Sequence, residues 1–162
     1  MLILLIAVYA SMELRDFYPK GSAPREAMKT WHYMLGLTVL ALAIVRLAVA
    51  VVGPAPAISP RPKKWMGSAS SLMKVALYLL MICMPLLGWL LLSAKGNAIP
   101  FFGLHLAPLI NENKALAELI KELHETVAAA GYFLIGAHAA AALYHHYLIR
   151  DDTLRRILPP TD

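Results

Sequence analysis

Charge is scarce in this chain. Only 15% of its 162 residues are Asp, Glu, Lys or Arg, while 59% are hydrophobic. Soluble domains run at about 25% charged and about 45–50% apolar. A water-soluble single domain does not fit these figures, and neither does disorder, which needs low hydrophobicity and high charge. Cysteine is nearly absent. Cys83 stands alone, so there is no internal disulfide scaffold. It lies in Leu79-Leu80-Met81-Ile82-Cys83-Met84, where a cysteine acts as a small hydrophobe. A glycine-rich phosphate loop and an internal repeat are both missing. Lys and Arg outnumber Asp and Glu by 15 to 10, a net charge of +5. These bases are scattered between apolar runs and form no single stripe. They read as loops flanking membrane spans, with lipid and not nucleic acid as the partner.

What is present is long apolar runs. A spanning helix needs about 20 mostly apolar residues. Three segments qualify: residues 31–52, residues 72–93 (with Pro85 and Gly88 inside) and residues 124–149, which carry four of the six histidines. Pro85 is tolerable in a membrane helix, where neighbours re-satisfy the freed backbone group. Residues 1–12 form a fourth run, which makes only about 18 Å of helix against a core of about 30 Å. No Lys or Arg precedes it, as a signal peptide would require. The expectation is a first helix that is truncated at its N-terminus, with a native chain extending upstream by roughly ten to twenty residues. Residues 113–123 carry Leu116, Leu119, Ile120 and Leu123 at helical spacing. That pattern predicts an amphipathic helix at the interface, running into the last span. The basic loop at Arg61 to Lys64 and the bases Arg150, Arg155 and Arg156 argue for a cytoplasmic position on one common side. The predicted fold is all-α: a transmembrane four-helix bundle forming one integral membrane domain over residues 1–162.

Ionisable groups inside spans are expensive and default to function. His124 and His138 are separated by about four helical turns. That interval returns them to within about 40° of one helix face, about 21 Å apart along the axis. Gly131 lies midway on that face, where a small residue would let a flat group approach the backbone. His32 and His124 both open a predicted span, and one span separates their helices. They therefore share a depth on one side. Two facing imidazoles in a bundle make a bis-histidine haem site, with one-electron chemistry and no open position for oxygen. Zinc is the chemical competitor, but no cysteine or carboxylate cluster stands at matching depth. Arg46 follows His32 by the same interval that separates His138 from His124. It suits a haem propionate at a second site near His138, or it snorkels to the interface. His138 lacks a partner in the sequence. Met66 and Met73 offer a thioether; a histidine at the start of the first helix is the more economical partner. His145 is a second candidate ligand or, with Arg46, a quinone-pocket residue, and it also reads as an interfacial histidine beside Tyr144 and Tyr147. His105 reads as an interfacial loop residue.

Several stretches carry a resemblance. They are Ser11 to Arg15, Phe17 to Pro19, His32 to Gly36, Pro60 to Lys64, Lys95-Gly96-Asn97, His124-Glu125-Thr126 and, above all, Gly136 to Tyr147. Over its whole length the chain resembles the bacterial cytochrome b561 family of dihaem four-helix membrane proteins. The resemblance implies one haem b between His32 and His124, and a second that joins a first-helix histidine to His138. It further implies a multi-pass protein of the bacterial inner membrane that exchanges electrons with ubiquinone on the cytoplasmic side, with superoxide as a periplasmic donor. The expected activity is that of an oxidoreductase of the superoxide:ubiquinone type. A basic rim of Arg25, Lys29 and Lys121 near the outer haem would attract such an anion, and Lys29 and Lys121 would also suit its propionates. The alternatives are a haem-bearing subunit of a larger dehydrogenase or hydrogenase, and a non-redox haem-binding structural protein.

Overall fold

The computed structural model describes residues 1–53 and 64–151. Arg61, Lys63, Arg155 and Arg156, on which the expected cytoplasmic side chiefly rests, lie outside the described residues. Four helices make the architecture: α1 (Leu2–Leu14), α2 (Ala23–Val52), α3 (Lys64–Ala94) and α4 (Lys114–Tyr144). A short hairpin, β1 (Ile99–Phe101) and β2 (Leu104–Leu106), sits between α3 and α4.

The helices begin earlier than the apolar runs suggest. Pro24 opens α2 in the first turn, where a missing N–H costs nothing. Asn113 caps α4, its side chain accepting from the Leu116 N–H at 3.0 Å. The amphipathic helix expected over residues 113–123 runs into the last span without a break, as expected. That segment is the opening of α4 itself, with Ala117 and Ile120 buried against Ala94 and Leu116, Leu119 and Leu123 facing outward. A polar first stretch still propagates as helix once the backbone hydrogen bonds of the span continue it. The hairpin is an addition that the sequence pattern does not predict. Its two-residue loop places Phe102 at φ 45° and Gly103 at φ 86°, the left-handed pair that a tight hairpin turn requires. His105 therefore stands on β2, opposite Pro100.

Among the described residues three helices are long and apolar enough to cross a membrane: Ala23–Val52, Trp65–Ala94 and Lys114–Ile149. Their outer faces are apolar; Val52 and Phe133 are more than 80% exposed. In water such a surface would be an aggregation site; in lipid it is the required solvent contact. The chain is a multi-pass membrane protein.

Packing runs in chain order, α1 on α2, α2 on α3 and α3 on α4. Val39, Ala43 and Met81 form one buried cluster, covered by Leu4, Leu5 and Val8 of α1. Between α1 and α4 only long side chains reach. The Tyr9 hydroxyl donates to the Ala128 carbonyl at 3.0 Å, and the Tyr9 and Tyr132 rings lie 4.4 Å apart. The Tyr132 hydroxyl donates to Glu13 at 2.7 Å. These bonds close the bundle where no helix–helix backbone contact does. The face at Gly131 is accordingly not open: a Cβ there would strike the Tyr9 hydroxyl and touch Leu80. Gly131→Ala is expected to displace that hydroxyl and to cost about 1 kcal/mol, the scale of a polar contact between membrane helices. A thermal melt in detergent should fall by about 2–4 °C. The Tyr9→Phe variant should fall similarly, and the double variant no further.

Candidate functional site

All four helices supply walls of a cavity of about 370 Å³, within the range that holds a cofactor-sized ligand. His32 of α2 and His124 of α4 both line it. Each stands near the third turn of its helix and not at the start, but the offsets nearly match, so the depths match. Their ring centroids are 6.2 Å apart at 73°. Two imidazoles that share one metal from opposite sides, each bonded at about 2 Å, bring their centroids to about 6 Å.

The two rings are held differently. His32 Nδ1 donates to the Val8 carbonyl at 3.0 Å, which leaves Nε2 with its lone pair free. The same carbonyl accepts the buried Ser11 hydroxyl at 2.6 Å, so α1 presents one shared acceptor to α2. His124 Nδ1 is buried with no hydrogen-bond partner. Its ring edge lies against Gly88, where an added Cβ would meet Cε1 at 3.4 Å. A buried orphan nitrogen calls for a reason, and a bound group in the cavity supplies one.

The rest of the lining is mostly apolar, including Leu5, Val39, Leu80, Met84, Leu92 and Ile99. Gly36 borders it with open space over its Cα. Open space thus lies over Gly36, whereas Gly88 is covered by the His124 ring and Gly131 by Tyr9. Among the described residues no group of three His, Cys, Asp or Glu could hold a metal ion. Two histidines suffice for haem, whose macrocycle fills the other positions, but not for zinc. The residues present fit haem.

The protein matches prokaryotic cytochrome b561 over residues 1–160. It belongs to that family. A cytochrome b561 is a membrane b-type cytochrome that transfers electrons, and b-type haem comes with the family. The chain is 42% identical over 158 residues to "Cytochrome b561 homolog 1" of Escherichia coli K12, covering 97% of this chain and 90% of that one. It is 35% identical over 158 residues to "Probable superoxide oxidase CybB" of Yersinia pestis, covering 98% and 89%. A further relative, "Cytochrome b561 homolog 2" of Escherichia coli K12, is 30% identical over 128 residues, covering 78% and 68%.

The other expected site residues of this cytochrome are placed less centrally. His138 and Arg46 are exposed, and neither makes a hydrogen bond or ion pair among the described residues. Lys29 is paired with Glu26 at 2.7 Å and Lys121 lies 3.9 Å from Glu118; neither lines the cavity. Arg25 binds Asp16 at 2.8 Å and donates to the carbonyls of Arg15 and Tyr18. The expected basic rim is therefore three cations already matched with acids along the surface. His145 follows α4 in a π-helical turn (His145–Ile149), with Nδ1 on the buried Asp151 carboxylate.

The structure also adds residues to which the sequence reading assigns no role. Arg15, Glu13, Asp16, Glu125, Tyr9 and Tyr132 all line the cavity. The available signal was the Ser11 to Arg15 stretch, which carries a resemblance but no evident chemistry.

Proposed function

We propose that this cytochrome carries single electrons across the bacterial inner membrane, from a periplasmic donor to ubiquinone, and that the donor is superoxide. The observation that supports this reading is the pair His32 and His124, 6.2 Å apart across an apolar cavity. Haem bound there supplies a one-electron Fe(III)/Fe(II) couple, and two histidine ligands leave oxygen no coordination site. The name of the Yersinia pestis relative favours superoxide as the donor. The balance is simple: two superoxide anions lose one electron each, and ubiquinone takes both with two protons.

The residues divide the work by position. His32, anchored through Nδ1 on Val8, and His124 hold the outer site. His138, about four turns along α4 from His124, holds a second haem b nearer the opposite surface. Arg46, at the matching interval after His32, meets a propionate there. Lys29 and Lys121 stand at the outer rim. His145, oriented by Asp151, faces the quinone side and presents its other ring nitrogen as a hydrogen-bond acceptor for a quinol hydroxyl.

A dithionite-reduced minus oxidised spectrum of the purified chain, with haem quantified, tests the reading. A b-type spectrum is expected, appearing with superoxide and bleaching on addition of ubiquinone. His138→Ala should lower haem per chain while leaving the outer site loaded. A chain without haem, or one whose haem superoxide cannot reduce, would overturn the proposal.

A further inference from the structure

Among the described residues, Arg15 is the cation that lines the cavity, and its donors are not used up. It sits in the short 3-10 turn Arg15–Phe17 directly after α1, with its backbone carbonyl held by Arg25 at 3.0 Å. Its side chain is only 28% exposed. One terminal nitrogen reaches the Met12 sulfur at 3.6 Å, a weak acceptor. Nε is buried with no hydrogen-bond partner. The nearest carboxylate is Asp16, at 3.5 Å from Nε. That same oxygen is already bound by Arg25 at 2.8 Å, so two guanidinium groups share one carboxylate. Of the other acids lining the cavity, Glu13 is engaged by the Tyr132 hydroxyl and Glu125 comes from α4. A half-buried guanidinium with unfilled donors costs free energy unless an anion completes it. Its planar fork matches a carboxylate better than a point charge does.

We propose that the Arg15 guanidinium is the counter-ion for a carboxylate of the macrocycle seated between His32 and His124. This rests on the haem reading of the His32–His124 cavity. The geometry supports it because the guanidinium and both imidazoles border one cavity, and haem b carries its only charged substituents, two carboxylates, on one edge. A cation held there also favours the reduced, less positive iron, so Arg15 raises the midpoint potential.

The test uses the full chain, stripped of haem in detergent and titrated with haemin or with haemin dimethyl ester, whose carboxylates are blocked. Wild-type protein should bind haemin at least tenfold more tightly than the diester. Arg15→Gln should lose that preference, binding the diester as wild type does, which also shows that the variant is folded. Arg15→Lys should recover part of it. In loaded protein, Arg15→Gln should shift the one-electron potential downward by about 59 mV, the equivalent of a tenfold change. If Arg15→Gln keeps the full preference for haemin, or wild type shows none, the proposal fails. It fails equally if the variant keeps haemin affinity and potential but loses its rate with superoxide, which would make Arg15 a site for the free anion. Wild-type protein that binds neither compound would instead overturn the haem reading itself.

Discussion

His124→Ala protein is expected to retain outer-site haem on the order of a hundredfold or more less tightly than wild type. Losing a group that merely orients a metal ligand already costs about 10–100-fold, and His124 is itself a ligand in the proposed haem site. Haem per chain after gel filtration, read with the reduced-minus-oxidised spectrum, measures the loss. The apo-protein should tolerate the change. His124 Nδ1 is a buried nitrogen without a partner, so its removal relieves a desolvation cost of about 1–3 kcal/mol even as it leaves a void. His32→Ala should lose the haem equally, but should also loosen α1, because the bond from Nδ1 to the Val8 carbonyl disappears. Different melting behaviour with the same haem loss separates a ligand that is anchored from one that is not. His105→Ala, on the hairpin, should change neither. Wild-type haem content in His124→Ala would rule out His124 as a ligand.

The second large effect is expected at Gly88. An alanine Cβ there would rest on His124 Cε1 at 3.4 Å, which is van der Waals contact. Gly88→Ala should therefore keep its haem, and the helix should gain slightly from the lost backbone freedom. Gly88→Val adds carbons beyond that contact. They must enter the space of the imidazole, and the ring has Gly88 on one side and the cavity on the other. We expect at least a tenfold drop in haem retention for valine, with helix content unchanged by circular dichroism. A valine variant as fully loaded as wild type would show that the Gly88–His124 contact does not set the ligand's position.

Much of this cytochrome is legible along the chain. The three long apolar runs appear as the spans, because lipid admits only helices that satisfy their own backbone groups. The match in depth of His32 and His124 is a matter of rise per residue and of one intervening span. It survives even though both helices begin two turns or more before the start that hydropathy suggests. The apolar period does not mark a helix start, since polar first turns such as Pro24 to Thr30 and Lys114 to Leu123 continue the same backbone ladder into headgroups and water. The hairpin at Phe102-Gly103 escapes because its residues, Ile99 to Leu106, are too few to show alternation.

The cation that lines the site escapes for a different reason. Lys29, Lys121 and Arg25 read as a rim when charges are counted, yet their nearest acids lie on their own helices or in the adjoining turn and neutralise them. Arg15 looks like one more loop charge until the fold brings its turn over the cavity. Gly131 looks like room for a flat group until Tyr9 crosses from α1 to fill it.

By itself, then, the sequence determines a helical membrane protein with two histidines at one depth and few polar residues in its spans. These follow from composition and from the fixed period and rise of a helix, which are local. The tertiary structure alone decides that the two imidazoles face each other at 6.2 Å, that Gly36 leaves open space while Gly88 lies against the His124 ring, that Val8 anchors the other ring and that Arg15 borders the cavity. Those depend on how each helix is rotated against its neighbours. That rotation is set by packing between residues far apart in the chain, as when His32 meets Val8 or Tyr9 meets Ala128.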